Sequence, residues 1–216
     1  MTRFVTIEEL GRPTGAVVVV DVFRAFSFAA WAVRLGAARI VLAADKEHAR
    51  RLRGTYPDAV SCTDGPKLPD FALTNSPGQL STVDVRGATI IQATMNGTRG
   101  TAAASTAEEL FVASFPNARA TARALGDRPA TFVVTGGDED RECAEFIAAV
   151  QRDPDTAPEP YLERSRGSRG AARLADGLAA GYTGIHALDV ERSLALDVLD
   201  RPLRAVPAGD HLVVTG

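Results

Sequence analysis

Short apolar runs of strand length alternate with helix-like stretches as far as residue 150, and this alternation constrains the fold most strongly. The clearest runs are Val17–Val20, Ala88–Ala93 and Thr131–Thr135. Runs of this kind are typical of parallel strands buried on both faces, with helices as the connections between them. The sequence therefore predicts an α/β fold, with three α/β/α layers around a mixed, mostly parallel sheet.

The stretch Ala88–Ala104 shows how one of these strands passes into a helix. Asn96 and Gly97 form the turn, and Thr98 and Arg99 stand where the helix would begin. Unpaired N–H groups in a first helical turn, beside an arginine, suit an anion. An ordinary strand–helix connection with an Asn-Gly turn explains the same residues equally well.

After residue 150 the pattern is less regular, although the chain is expected to form a single domain over residues 1–216. Residues 153–170 are rich in Pro, Ser, Gly and charge, which predicts a flap, a linker or a subunit contact. The remainder, 171–216, is expected to be a smaller helical part with helices at 171–180 and 190–199. A final run, Leu212–Thr215, is predicted to be an edge strand.

The composition excludes several classes of partner. The net charge is 24 − 27 = −3, so nothing favours binding to nucleic acid or to a membrane surface. No apolar run approaches the roughly 20 residues of a membrane-spanning helix. The two cysteines, Cys62 and Cys143, are too few for a disulfide framework or a CxxC metal site. We expect a soluble, cytoplasmic protein with a small-molecule partner.

Polar residues follow three of the predicted strands, where the carboxyl ends of parallel strands form ligand-binding crevices. They are Asp21 and Arg24 after the first strand, Asn96, Thr98 and Arg99 after the second, and Gly136, Gly137, Glu139 and Asp140 after the third. Carboxylates hold a hard cation, arginines neutralise phosphate oxygens, and glycines let backbone N–H groups approach. The mixture suits a phosphate ester together with a divalent cation.

The acidic residues of this set, and the nearby Cys143, also have simpler structural explanations. Asp21 is placed like a helix cap, and Glu139 and Asp140 would complement the dipole of the helix that they begin. Cys143 lies one turn inside that helix, where a cysteine is most often a small buried apolar residue.

Several common phosphate-handling motifs are absent. The sequence contains neither GxGxxG nor GxxxxGK[ST], so dinucleotide and P-loop nucleotide sites have no support. Leu68 and Ala149 stand where cysteine phosphatases have arginine, and Phe23 stands where DxD phosphatases have their second aspartate. A phosphatase with this sequence would belong to another class.

Four motifs resemble those of the 2-phosphosulfolactate phosphatase family, in order and spacing, over about residues 17–147. They are Asp21–Ala25 (DVFRA), Thr74–Pro77 (TNSP), Met95–Gly100 (MNGTRG) and Glu139–Ala144 (EDRECA). The resemblance implies an α/β/α fold, Mg²⁺ dependence and hydrolysis of (2R)-2-phospho-3-sulfolactate to 3-sulfolactate and phosphate. In methanogens that reaction is a step toward coenzyme M.

The resemblance also implies roles for particular residues. The metal ligands would be Asp21 and one or both of Glu139 and Asp140, with Asp64 as a further candidate. The catalytic set would be Asp21, Arg24, Asn96 and Arg99, and the substrate-binding set Asn75, Ser76, Gly97, Thr98, Gly136, Gly137 and Cys143. The sequence leaves the oligomeric state open, and a homodimer is one candidate because dimers are the commonest symmetric assemblies.

Three departures from the family pattern alter the walls of the expected pocket. They are Phe26–Phe28 in place of a threonine-rich turn, Thr63–Gly65 in place of Gly-Glu, and a short loop at Gly136–Glu139. Two other functions therefore stay open: a non-catalytic binder of a small phosphorylated or sulfonated acid, and a phosphomonoesterase with a different substrate.

Overall fold

The computed structural model describes all residues from 1 to 216, and ten strands and eight α-helices account for most of them. The strands are β1 (Arg3–Val5), β2 (Ala16–Val20), β3 (Arg39–Ala43), β4 (Val60–Thr63), β5 (Leu73–Thr74), β6 (Thr89–Ala93), β7 (Glu109–Ala113), β8 (Ala130–Val134), β9 (Leu203–Ala208) and β10 (His211–Thr215). The helices are α1 (Ala25–Arg34), α2 (Lys46–Leu52), α3 (Gly97–Ala103), α4 (Ala118–Leu125), α5 (Asp138–Arg152), α6 (Glu159–Arg166), α7 (Arg169–Ala179) and α8 (Asp189–Leu194).

All ten strands belong to one sheet, in the order β1-β8-β2-β7-β9-β10-β3-β6-β4-β5. Six neighbouring pairs are parallel and three are antiparallel. The predicted α/β class with a mixed, mostly parallel sheet is therefore confirmed.

The C-terminal hairpin of β9 and β10 lies in the middle of this sheet. β10 pairs with β9 on one side and with β3 on the other, and β9 pairs with β7. The prediction that Leu212–Thr215 is an edge strand was wrong. The apolar run at the end of the chain correctly indicates a strand, but its place in the sequence does not show which strands pair with it.

Alternate residues of the strands face two different apolar cores, which produces the layers. In β2, Val17 and Val19 pack in an inner core with α1, whereas Val18 and Val20 pack in an outer core with α4 and α5. The other half of the sheet repeats this division, because β3 gives alternate residues to the inner core and to an outer core with α2. Helices thus cover both faces of the sheet, as predicted.

The two parallel halves of the sheet run in opposite directions, because three successive antiparallel pairings separate β7 from β3. The ends of β2 and β6 nevertheless lie together, since a Cβ at Gly97 would be 3.0 Å from Asp21 Oδ2. Five strand-to-strand steps separate β2 from β6. At about 20–25° of twist a step, these strands turn by roughly 100–125° relative to each other. The twist helps to bring the two ends to one place.

Residues 153–170, for which the sequence predicts a flap, linker or subunit contact, contain α6. Tyr161 of this helix packs against Phe146 of α5, with ring centroids 5.4 Å apart. The part from 171 to 216 holds α7 and α8 and then the central hairpin. No helix of the chain is long and apolar enough to cross a membrane.

Candidate active site

A cavity of about 990 Å³ opens where the ends of β2, β4 and β6 meet. Asp21 and Arg24 line it from the turn after β2, Asp64 from the turn after β4, and Asn96 and Arg99 from the start of α3. Four of these five residues were predicted as site residues from the polar ends of two strands. The structure therefore brings the residues after β2 and β6 into one cavity.

Asp21 is the most deeply buried carboxylate of the cavity wall, with 6% of its surface exposed. Its Oδ1 accepts the N–H of Ala25, 2.9 Å away, at the start of α1. The pKa of Asp21 is raised to about 7, chiefly by burial and also by the nearby charges of Asp64 and Glu139, while the hydrogen bond from Ala25 opposes the rise. The site thus concentrates negative charge around Asp21.

Asp140 fixes the turn that carries Asp21. Its Oδ1 accepts the N–H of Val22 at 2.7 Å, and its Oδ2 accepts the N–H of Gly137 and the hydroxyl of Thr135, each at 3.3 Å. Burial and the charge of Asp21 raise the pKa of Asp140 well above its ordinary value. Asp140 was predicted as a metal ligand, and in the structure both its oxygens accept protein hydrogen bonds.

Glu139 is 3% exposed, and its Oε2 has no hydrogen-bond partner. Its carboxylate lies against two glycines: a Cβ at Gly137 would be 2.2 Å from Oε1, and one at Gly170 would be 2.4 Å from Oε1. Gly170, in α7, lines the cavity. An ionised carboxylate that is buried without a partner is costly, so Glu139 is a candidate ligand for a cation.

Asp64 is oriented by a chain of side-chain amides. Gln92 of β6 donates to Asn75 Oδ1 at 2.9 Å, and Asn75 Nδ2 donates to Asp64 Oδ1 at 2.9 Å. The N–H of Met95 donates to Asp64 Oδ2 at 2.8 Å. Asn75, predicted as a substrate-binding residue, lines the cavity, but both ends of its amide are engaged in this chain.

Arg24 lines the cavity while most of its side chain is buried. One guanidinium nitrogen, Nη1, donates to the Gly184 carbonyl at 2.8 Å and forms an ion pair with Asp189. Ser76, predicted to bind substrate, instead donates its hydroxyl to Asp189 at 2.6 Å and is fully buried. Ser76 therefore supports the wall of the cavity and does not line it.

The start of α3 is organised by Thr94, whose hydroxyl accepts the N–H of Thr98 at 3.1 Å. The N–H of Thr98 therefore has a protein partner, and Gly97 is packed against Asp21 and Ala25. Arg99 is 62% exposed and pairs with Glu8 at 3.0 Å.

Several predicted residues do not line the main cavity: Gly97, Thr98, Glu139 and Asp140 lie behind its wall, and Gly136, Gly137 and Cys143 lie elsewhere. Gly136 and Gly137 line a neighbouring cavity of about 410 Å³, together with Arg169 and Arg173 of α7. Cys143 is fully buried in the outer apolar core, and burial raises the pKa of its thiol well above the ordinary value. Cys143 was predicted to bind substrate, but its helix directs the side chain into the core and it lines neither cavity.

Lys46, Arg173 and Tyr182 are among the cavity side chains that sequence reasoning missed. Lys46 begins α2, and its Nζ and the Tyr182 hydroxyl lie 3.6 and 3.9 Å from the place that a Cβ of Gly65 would take. Lys46 is one of only two lysines in the chain, which was the one available signal. Arg173 lies in the helix predicted over 171–180 and Tyr182 just after it, in a segment for which the sequence predicted no functional role.

The acidic residues can be tested as ligands for a divalent cation. No three His, Cys, Asp or Glu side chains are positioned to hold an ion together. Mg²⁺ is usually bound by one or two carboxylates, with water and substrate phosphate completing the octahedron. Asp21 and Glu139 are the candidates for this role, because both carboxylates are buried and Glu139 Oε2 has no hydrogen-bond partner.

Comparison with known proteins agrees with this architecture. A family model described as 2-phosphosulpholactate phosphatase matches residues 5–155. A protein of Bacillus subtilis strain 168 named probable 2-phosphosulfolactate phosphatase is 34% identical over 175 residues, which are 76% of each chain. Proteins with the same name from Symbiobacterium thermophilum and Thermus thermophilus are 29% and 37% identical, covering 74% and 54% of this chain and 75% and 49% of theirs. The chain belongs to the 2-phosphosulfolactate phosphatase family of phosphoric monoester hydrolases.

Proposed function

We propose that this protein is a Mg²⁺-dependent phosphatase that hydrolyses (2R)-2-phospho-3-sulfolactate to 3-sulfolactate and phosphate. The observation that carries the proposal is that buried carboxylates and basic side chains meet at one cavity. Asp21 lines it, the unpartnered Glu139 lies against Gly170 of its wall, and four basic side chains line it as well. A phosphate ester bound with a divalent cation complements both kinds of surface.

The basic lining supports a substrate with more than one acidic group. Four cationic side chains line the cavity: Arg24, Lys46, Arg99 and Arg173. Phosphosulfolactate carries a phosphate, a sulfonate and a carboxylate, so a single arginine would leave most of its charge uncompensated. The family membership makes this substrate the first one to test.

Asp21 and Glu139 would hold the Mg²⁺ ion. When bound, the ion would polarise the phosphoryl group and neutralise charge that develops on its oxygens. In the free protein the pKa of Asp21 is raised to about 7, chiefly by burial, and an adjacent cation would lower it again and favour the ionised carboxylate. Asp140 would act indirectly, by holding the Asp21–Val22 turn through its hydrogen bond to Val22.

The remaining polar residues of the cavity would bind and orient the substrate. Arg24 and Asn96 would bind the phosphate, because they come from the turns that flank Asp21. Lys46 and Arg173 would bind the sulfonate and carboxylate, since neither forms a salt bridge within the protein and both line the cavity. Because these protein groups are already in position when the substrate binds, they need not reorganise as the transition state forms.

Phosphate release from three substrates tests the proposal: 2-phosphosulfolactate, phospholactate and an aryl phosphate, each with Mg²⁺ and with EDTA. We expect release that needs Mg²⁺ and favours the sulfonated ester. Equal release from all three would indicate a phosphomonoesterase with a different substrate. No release from any, together with a ligand-induced rise in melting temperature, would indicate a binding protein and overturn the proposal.

A further inference from the structure

Asp189 is a fully buried carboxylate in the C-terminal part of the chain, beyond the residues that the family model matches. Both of its oxygens are occupied. Oδ1 accepts the Ser76 hydroxyl at 2.6 Å and the Gly78 N–H at 2.9 Å, and Oδ2 accepts the His186 N–H at 2.9 Å and pairs with Arg24. Asp189 itself does not line the cavity.

The pairing with Asp189 fixes one side of the Arg24 guanidinium. Nη1 donates to the Asp189 carboxylate and to the carbonyl of Gly184, which is also buried. A guanidinium has five N–H donors in a rigid plane, so holding one nitrogen determines where the others point. Because Arg24 lines the cavity, its remaining donors are the ones available to an anion there.

We infer that Asp189 is a positioning residue: it orients the Arg24 guanidinium toward the substrate phosphate. A buried ion pair becomes favourable only when further hydrogen bonds satisfy its charges, and three polar groups besides Arg24 do so here. These come from the 76–78 loop and from His186, so the carboxylate cannot rotate without breaking several bonds. The inference rests on the proposed function, in which Arg24 binds phosphate.

A purely structural role for Asp189 predicts different behaviour. Asp189 also ties the 76–78 loop to the turn before α8, so its loss lowers stability under either explanation. Only a positioning role makes its effect on phosphate binding depend on the side chain at position 24. The distinguishing quantity is therefore the coupling between the two residues, which a double-mutant cycle measures.

The cycle consists of the wild type, Asp189→Asn, Arg24→Lys and the double variant. Each is assayed for kcat and KM with 2-phosphosulfolactate, for the Kd of inorganic phosphate by calorimetry, and for melting temperature. Asp197→Asn is the matched control, because Asp197 pairs with Arg119 at 3.0 Å and lies outside the cavity. Asn keeps the size and acceptor oxygen of Asp, so each variant removes charge with little change of packing.

We expect Asp189→Asn to lower kcat/KM by roughly 10–100-fold and to weaken phosphate binding, but to have less than about a twofold effect once Arg24 is Lys. Asp197→Asn should leave kcat/KM within about twofold of the wild type. Equal effects of Asp189→Asn in both backgrounds, or a change in melting temperature alone, would overturn the inference. If the wild type releases no phosphate, the proposed function fails, and the same cycle on the Kd of inorganic phosphate still decides the role of Asp189.

Discussion

Charge at the site is set residue by residue, through burial and neighbours. Asp21, Glu139 and Asp140 are each less than 7% exposed, and no basic side chain pairs with any of them. Asp140 is satisfied by hydrogen bonds, whereas Glu139 keeps an oxygen with no partner. The free protein therefore carries an unfavourable concentration of negative charge, which a bound cation would relieve.

This concentration of charge makes stability depend on pH through Asp21. Its pKa is about 7 in the folded chain against an ordinary 3.8, so the unfolded chain loses this proton first. The contribution of Asp21 to stability is therefore present below pH 4 and is lost as the pH rises through 7. Without divalent metal, Asp21→Asn should increase the free energy of unfolding at pH 8 by at most about 4 kcal/mol and so raise the melting temperature. At pH 4 the substitution should change the melting temperature little. An equal effect of the substitution at both pH values in thermal melts would contradict this.

Lys46 and Arg173 are expected to set the preference for multiply charged substrates. Replacing either with Ala should raise KM for 2-phosphosulfolactate by about tenfold, or about 1.4 kcal/mol, and change KM for an aryl phosphate much less. Lys67→Ala is the matched control, because Lys67 is exposed and does not line the cavity. Steady-state kinetics with both substrates checks this, and equal losses on both would assign these side chains no part in specificity.

Sequence reasoning found the site residues whose position follows from a strand end. Asp21, Arg24, Asn96 and Arg99 follow buried strands, and the structure places all four in one cavity. It could not find the partners of Asn75 and Ser76, because those partners lie at distant positions such as Asp189, 113 residues from Ser76. Local pattern shows that a side chain is polar, but not which group it will meet.

At the scale of the elements, the predicted strands at Val17–Val20, Ala88–Ala93 and Thr131–Thr135 are confirmed as β2, β6 and β8 within one or two residues. The helices that were predicted to follow these three strands are present as α1, α3 and α5. β1 and α6 were missed, since β1 has only three residues and α6 begins in a Pro-rich stretch with little apolar periodicity. Both depend on tertiary packing that no short pattern reveals.

Gly170, at the start of α7, lies against the Glu139 carboxylate, so a substitution there tests whether the position of α7 matters for the site. A Cβ at Gly170 would lie 2.4 Å from Glu139 Oε1, so Gly170→Ala must displace the carboxylate or the helix. We expect it to lower kcat/KM by about 100-fold and to weaken Mg²⁺ dependence. Gly167→Ala is the control, because a Cβ there meets only backbone carbonyls at 3.7 Å. Equal kcat/KM values for the two variants would show that Glu139 takes no part in the reaction.

At the scale of the whole molecule, the C-terminal hairpin joins two parallel half-sheets that run in opposite directions. The class of the fold could be predicted from the alternation of strands and helices. The strand order could not, because the pairings of β10 with β3 and β9 with β7 join segments that lie far apart in sequence and have no local signal.

This central position predicts that the chain depends on its last strand more than on its first. Deleting residues 211–216 removes β10 from between β9 and β3 and should abolish cooperative unfolding. Deleting residues 1–5 removes β1, which pairs only with β8 at the edge, and should lower the melting temperature while preserving a cooperative transition. Circular dichroism melts compare the two, and a cooperative melt without β10 would contradict the assigned strand order.

The most direct test is the rate of phosphate release from 2-phosphosulfolactate with saturating Mg²⁺, measured for the wild type and for Asp21→Asn. Asp21 lies at the centre of the acidic group, and Asn preserves its acceptor for the Ala25 N–H, so the fold should survive the change. We predict turnover by the wild type and a loss of at least about 10³-fold in the variant, with far-ultraviolet circular dichroism unchanged. Equal turnover by the two proteins would show that the chemistry takes place elsewhere.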